Sequence, residues 1–133
     1  LAGLEMESLP EQFGDLKNLK ELNLTNCNSL VSLPTGNSLV SLPTGFGYLQ
    51  SLTSLNLRGD SPWALMKLES LPERFGELKN LKELNLTRCD KLVSLPERFG
   101  ELEDLEKLDL GYCYALDSLP RRFGELKSLT SLN

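Results

Sequence analysis

The sequence predicts an α/β solenoid, a stack of short parallel strands joined by turns, and two observations carry this prediction. Leucine accounts for 33 of the 133 residues, and the leucines recur at fixed intervals. The dipeptide Leu-Pro begins at residues 71, 95 and 119, in steps of 24 residues. A repeat of this length is typical of solenoids, in which each unit buries its apolar face against its neighbours.

The composition excludes several classes of function. The chain has no histidine, which excludes Ser–His–Asp and Cys–His triads and any zinc site that needs imidazole. We therefore expect no enzymatic activity, no cofactor and no metal. The net charge of −5, from 14 basic and 19 acidic residues, disfavours nucleic acid and anionic membranes as partners. There is no long apolar run, so we expect no membrane insertion.

Each repeat is predicted to begin with a short strand. In the copy from Leu81 to Asp104, Leu84 and Leu86 are two residues apart and therefore share one face of a strand. Asn85, between them, faces the other way. Stacked copies form a parallel sheet. Its inner face is a leucine core, and its outer face is a concave polar surface.

The second half of each repeat is predicted to form turns or 3₁₀ segments on the convex side. Pro72 suits the start of a helical turn because the N–H that it lacks would be unpaired there. Phe75 should turn inward as a spacer, and Gly76 should close the turn in a left-handed conformation. The role of Phe75 recurs at Phe13, Phe46, Phe99 and Phe123.

The full unit reads L-x-x-L-x-L-x-x-C-x-x-L-x-x-L-P-x-x-F-G-x-L-x-x and resembles the leucine-rich repeat. The resemblance covers essentially the whole chain and implies one domain, residues 1–133, that forms a horseshoe arc of about five repeats. The cysteine and the LPxxFGxL segment are similar to repeats of intracellular plant-type immune receptors and of algal and bacterial proteins. The resemblance further implies a role in recognition, with another protein as the partner.

Three cysteines, Cys27, Cys89 and Cys113, occupy one column of the repeat. The resemblance implies that this position turns the chain inward and bonds to backbone amides along the stack. Their spacing contains no C-x-x-C pair, which disfavours redox, metal and nucleophilic roles. A disulfide between Cys89 and Cys113 is conceivable but conflicts with such a structural role. Three free thiols favour a reducing compartment, so we expect a cytoplasmic or other intracellular location.

Two departures from the repeat are candidate functional segments. The nonapeptide NSLVSLPTG occurs twice in tandem and forms a duplicated insert, residues 28–45, of a kind that loops tolerate at little cost. An irregular insert, residues 58–66, lacks the column cysteine and holds the single tryptophan. Either insert is a plain loop or a binding loop, and the loop candidates are Arg58, Gly59, Asp60 and Trp63. Arg58-Gly59-Asp60 also matches the tripeptide that integrins recognise, which makes cell adhesion a minor alternative.

The outward-facing strand positions predict the binding surface. Their middle column is mostly asparagine, which also allows the column to bond to itself. Arg58, Arg88 and Tyr112 are of the types that anchor interfaces. The predicted contact residues are Glu21, Asn23, Thr25, Asn56, Arg58, Glu83, Asn85, Thr87, Arg88, Lys107, Asp109 and Tyr112.

Neither end of the sequence shows the polar cap that a solenoid needs. The chain begins at Leu1 partway through a repeat and stops at Asn133 inside a strand. We therefore expect a fragment of a longer array, or ends that further repeats or a partner subunit cover. The predicted function is a protein–protein interaction scaffold with a curved binding surface. The alternative is a structural subunit or spacer within a larger assembly.

Overall fold

The computed structural model describes residues 11–25, 44–59 and 68–133. In this part of the chain five short strands form one parallel sheet in the order β1-β2-β3-β4-β5. Each strand therefore pairs with the strands that precede and follow it in the sequence, as a solenoid requires. The strands are β1 (Glu21–Asn23), β2 (Ser54–Asn56), β3 (Glu83–Asn85), β4 (Lys107–Asp109) and β5 (Ser131–Leu132).

The strand register follows the repeat. Leu84 of β3 pairs with Leu55 of β2 on one side and with Leu108 of β4 on the other. Asn85 likewise pairs with Asn56 and Asp109. The leucines are buried and the flanking strand residues are exposed or half-buried, so the period-two prediction is confirmed.

Five 3₁₀ segments lie on the convex side of the described chain, as the sequence predicts. In the third segment, Pro72 precedes the first helical residue with φ −66° and ψ 149°, and its carbonyl accepts a hydrogen bond from the Phe75 N–H at 2.9 Å. A proline ring holds φ near this value, so proline suits the residue that leads into the turn. The segments are η1 (Glu11–Asp15), η2 (Thr44–Tyr48), η3 (Glu73–Glu77), η4 (Glu97–Glu101) and η5 (Arg121–Glu125).

The core consists of the leucine columns and a column of phenylalanine rings. Phe75, Phe99 and Phe123 stack nearly parallel, with successive ring centroids 6.2 Å apart. Phe75 and Phe99 are completely buried, whereas Phe123 is partly exposed. Each fully buried side chain of this kind stabilises the fold by about 1.5–3 kcal/mol. The phenylalanines are therefore spacers that fill the stack, as predicted.

The glycine of the convex turn has a different role from the predicted one. Gly76 does not adopt a left-handed conformation, so that prediction was wrong. A Cβ atom added to Gly76 would collide with the carbonyl oxygen of Arg98 in the next repeat. At Gly47 the corresponding Cβ would lie 2.6 Å from the carbonyl oxygen of Arg74. Glycine is needed because neighbouring repeats approach each other closely here.

The cysteine column is structural, and its hydrogen bonds match the predicted ones in part. The Cys89 thiol donates to the carbonyl oxygen of Leu57 at 3.5 Å, and the Cys113 thiol donates to that of Leu86 at 3.2 Å. The thiols thus bond to backbone carbonyls of the preceding repeat. The Cys113 thiol also accepts a hydrogen bond from the backbone of Cys89, which lowers its pKa against the effect of burial. Both cysteines are free rather than disulfide-bonded. Cys27 lies outside the described residues.

In the described residues no helix has the length and the apolar character needed to cross a membrane.

Candidate protein-binding surface

The outward face of the sheet forms a shallow groove of about 310 Å³. Its floor is formed by the strand residues on either side of the buried leucines. The polar residues that line it are Ser54, Asn56, Glu83, Asn85, Lys107, Asp109, Ser131 and Asn133. Five of the predicted contact residues are therefore brought together: Asn56, Glu83, Asn85, Lys107 and Asp109.

The asparagine column mainly stabilises the chain just beyond each strand. The side-chain oxygen of Asn85 accepts hydrogen bonds from the Thr87 N–H at 2.9 Å and the Thr87 hydroxyl at 2.6 Å. Asn23 and Asn56 accept from the N–H two residues later in the same way, as does Asp109. These are Asx turns. The column therefore fixes where the chain turns, and part of its hydrogen-bonding capacity is already used.

Ion pairs between neighbouring strands neutralise the amino-terminal edge of the groove. Lys107 contacts Glu83 at 2.6 Å, and Lys82 contacts Glu106 at 3.2 Å. The hydrogen bond with Glu83 raises the pKa of Lys107 above its usual value. All four side chains are about half exposed, so the pairs are screened by solvent. Positive and negative side chains therefore alternate along this edge, and neither sign of charge dominates it.

The carboxyl-terminal edge of the groove carries a cluster that we call the aromatic rim: Arg88, Tyr112 and Tyr114. The guanidinium carbon of Arg88 lies 5.4 Å from the centroid of the Tyr112 ring. The Tyr112 and Tyr114 rings meet edge to face, with centroids 6.1 Å apart. The side chain of Tyr112 is 58% exposed and that of Tyr114 is 79% exposed. Large aromatic surface is thus held open at the end of the groove.

The backbone of the aromatic rim is strained. Arg88 and Tyr112 both have φ of 62°, in the left-handed region. This conformation costs a residue other than glycine about 1–2 kcal/mol. Strain of this kind persists where the surrounding structure imposes it and is common at functional sites. Here it directs an arginine and a tyrosine from equivalent positions of neighbouring repeats towards the same edge.

The remaining predicted residues are placed less favourably for contact. Thr87 is only 8% exposed, so the prediction of an open contact residue was wrong there. Its hydroxyl donates a hydrogen bond to the side-chain oxygen of Asn85. Thr25 is half-buried, with its hydroxyl oxygen enclosed. Glu21, Asn23 and Arg58 are exposed.

The loop candidates are only partly described. Gly59 is buried, and its N–H donates to the carbonyl oxygen of Thr87 at 3.0 Å. Gly59 is therefore part of the contact between neighbouring repeats and is not accessible to a partner at the surface. Asp60 and Trp63 lie outside the described residues, as do residues 28–43 of the duplicated insert and residues 60–66 of the irregular one.

The sequence reasoning missed Tyr114. Tyr114 occupies the repeat position of Asp90, one residue beyond the cysteine column, where an aromatic side chain breaks the pattern. The sequence could have indicated Tyr114 by this replacement, because irregular positions are where a repeat can carry a specific role. The contact between Tyr114 and Tyr112 could not be predicted, since it depends on the left-handed turn.

The convex side carries a second set of paired charges, which we call the convex ladder. It consists of Arg74, Glu77, Arg98, Glu101, Arg122 and Glu125. Each arginine bonds to the glutamate three residues later, and Arg98 and Arg122 also bond to the glutamate of the preceding repeat. Hydrogen bonding from Arg98 lowers the pKa of Glu101, against an opposing effect of burial. The ladder links three repeats through their side chains.

Comparison with known proteins agrees with the fold. The leucine-rich repeat family model matches residues 80–102. The leucine-rich repeat domain of the type III effector XopL is 30% identical, with a TM-score of 0.72, over 95% of this chain and 38% of that one. A leucine-rich repeat protein of Leptospira interrogans is 32% identical, with a TM-score of 0.63, over 100% of this chain and 35% of that one. None of the curated proteins matches.

The repeat, the parallel sheet and these similarities identify the chain as a leucine-rich repeat protein. It spans 38% and 35% of the two similar structures. Leucine-rich repeat domains generally mediate protein–protein interactions, and the fold is typically a non-catalytic binding scaffold.

Proposed function

We propose that this chain is a protein-interaction module that binds its partner across the concave groove and the aromatic rim. The observation that carries the proposal is the strained backbone at Arg88 and Tyr112, which holds a half-buried arginine and an exposed tyrosine at the end of an open groove. Tyrosine and arginine are enriched among the residues that dominate binding energy at interfaces. The groove floor supplies polar contacts that orient the partner, and the rim supplies the anchors.

The described residues favour binding over catalysis. No group of three or more histidine, cysteine or acidic side chains in the described ranges could hold a metal ion. Burial raises the pKa of the Cys89 thiol to about 12, so it is protonated and unreactive near neutral pH. Burial also raises the pKa of the Cys113 thiol. We accordingly propose a non-catalytic role in a reducing, intracellular compartment, where such thiols stay reduced.

The competing proposal is a structural spacer. It is favoured by the ion pairs and Asx turns of the groove, which satisfy the chain's own groups. The two functions differ in one consequence: a spacer makes its contacts without the groove and the rim, whereas an interaction module loses its partner when either is altered.

Affinity capture from the native source, quantified by mass spectrometry, tests the proposal with four forms of the protein. The first form is the unaltered chain. The groove variant combines Glu83→Lys with Lys107→Glu, which reverses the charges but keeps the ion pair. The rim variant is Tyr112→Gly, which removes the ring and keeps the backbone conformation, because glycine adopts a positive φ without strain. The control is Glu97→Lys on the exposed convex side.

We expect a partner that the unaltered chain and the convex control retain equally and that the groove and rim variants lose. Thermal unfolding of each variant confirms that the fold is intact. Equal capture by all four forms would contradict the interaction module and support the spacer, because the partner would then contact neither the groove nor the rim.

A further inference from the structure

Two of the three tyrosines in the chain have an arginine guanidinium stacked on their ring. Arg74 lies over Tyr48 with its guanidinium carbon 4.4 Å from the ring centroid, and Arg88 lies over Tyr112 at 5.4 Å. The third, Tyr114, is the most exposed of the three, and in the described part of the chain no cation lies over its ring. Its one aromatic neighbour there, Tyr112, meets it edge to face.

Two carboxylates act electrostatically on Cys113, the residue next to Tyr114. Asp90 acts on the thiols of both Cys89 and Cys113, which places its charge at the junction between the two repeats. Asp109 also raises the pKa of the Cys113 thiol through its negative charge.

We infer that Tyr114 is the docking point for a lysine or arginine side chain of a basic partner segment. The cation would stack on the exposed face of the ring, as Arg88 does on Tyr112, while the carboxylates of Asp90 and Asp109, which both act on neighbouring Cys113, offset the charge of Arg88. Aromatic rings attract cations through the negative potential of their faces. The overall charge of −5 favours encounter with a basic partner. The inference rests on the proposed function and specifies the chemistry of the partner.

Fluorescence anisotropy with labelled Gly-Ser peptides tests the inference on the full chain. One peptide carries arginines, one carries lysines, one replaces each arginine with the neutral isostere citrulline, and one replaces each with glutamate. We expect the arginine and lysine peptides to bind and the other two to fail. Equal binding of the arginine and citrulline peptides, or no binding of either cationic peptide, would overturn the inference.

Variants of Tyr114 separate the ring from general electrostatics. Tyr114→Phe keeps the aromatic face and should retain the affinity for the arginine peptide. Tyr114→Leu keeps the net charge and the apolar bulk but should weaken binding about five-fold. Equal affinity of the leucine variant and the unaltered chain would contradict the docking point. The side chain is 79% exposed, so neither change threatens the fold.

A pair of charge variants tests whether the attraction is local. Asp90→Asn, beside the rim, and Glu97→Gln, on the convex side, each remove one negative charge. We expect Asp90→Asn to weaken the binding of the cationic peptides more than Glu97→Gln does, and equal effects would count against a local site.

A captured partner whose binding depends on the groove and Tyr112 but not on Tyr114 would refute this inference alone. If the cationic peptides bind only when Tyr114 is present, but the captured partner binds equally to the groove and rim variants, only the proposed function would be refuted.

Discussion

The convex ladder and the aromatic rim both place arginines beside residues of a neighbouring repeat, but the surroundings differ. In the ladder, Arg98 bonds to Glu77 and Glu101 through regular 3₁₀ turns that recur every 24 residues. In the rim, Arg88 lies over Tyr112, and both residues adopt a left-handed backbone. The regular region therefore satisfies its own charges, whereas the irregular one exposes aromatic surface at a conformational cost. Specific recognition is expected where the repeat is broken.

The largest expected difference lies between the ring beneath the ladder and the ring on the rim. Phe99 is completely buried, so Phe99→Ala should lower the free energy of unfolding by about 3–5 kcal/mol. Tyr114→Ala should change it by less than about 0.5 kcal/mol, because the ring is mostly exposed. Urea unfolding measures both. A comparable loss in the two variants would show that the rim supports the fold rather than a partner.

A pair of equivalent glycines tests how closely the repeats approach beneath the ladder. An added Cβ at Gly100 would collide with the carbonyl oxygen of Arg122, whereas at Gly124 it would meet nothing within 4 Å. Gly100→Ala should destabilise this chain by about 1–3 kcal/mol, as overpacking does. Gly124→Ala should be neutral or stabilising by up to about 1 kcal/mol, since it restricts the unfolded chain. Thermal unfolding compares them, and equal effects would refute the close-approach role.

Salt and pH should affect the ladder in predictable directions. The pKa of Glu101 is lowered by hydrogen bonding from Arg98, so the folded chain takes up this proton at lower pH than the unfolded chain. The resulting stabilisation is present above the usual value of 4.5 and is lost as the pH falls through the lowered pKa. Arg98→Gln should lower the urea midpoint at neutral pH and flatten its decline in acid. The deficit should shrink in about 1 M NaCl. A deficit that is the same in acid and in salt would show that the lost arginine acted through packing alone.

The smallest effect is expected where the ladder stops. Tyr48 occupies the repeat position of Glu77, and the Nε atom of Arg74 beside it is enclosed without a hydrogen-bond partner. Tyr48→Glu exchanges a cation–π contact for a carboxylate and should extend the ladder by one ion pair. Stability should change little, but its salt dependence should become steeper. An unchanged salt dependence of the urea midpoint would mean that the introduced carboxylate does not pair with Arg74.

Much of the scaffold was predictable because local pattern and tertiary packing agree. Leucines two residues apart specify the buried face of a strand, and the Leu84 register with Leu55 and Leu108 follows from the 24-residue period. The inward phenylalanines and the convex turns also follow from spacing. The residues of the groove floor were predictable as well, since they alternate with the leucines.

The candidate site was less predictable, because its parts depend on contacts between repeats. Thr87 alternates correctly with Leu86 but is only 8% exposed, which the alternation does not predict. The φ values of Arg88 and Tyr112 have no local signature, since neither residue type favours a left-handed turn. The pairing of Arg98 with Glu77, 21 residues earlier, arises only when the turns stack.

The sequence by itself therefore determined the repeat, the identity of the buried columns and the order of the strands. These features depend on periodicity, because each repeat buries its apolar face only against the repeats before and after it. The tertiary structure alone decided why glycine recurs in the convex turn, which backbone group each thiol bonds to, and which side chains remain exposed at the rim. Those features depend on distances of a few ångströms between neighbouring repeats, and a one-dimensional pattern does not contain such distances.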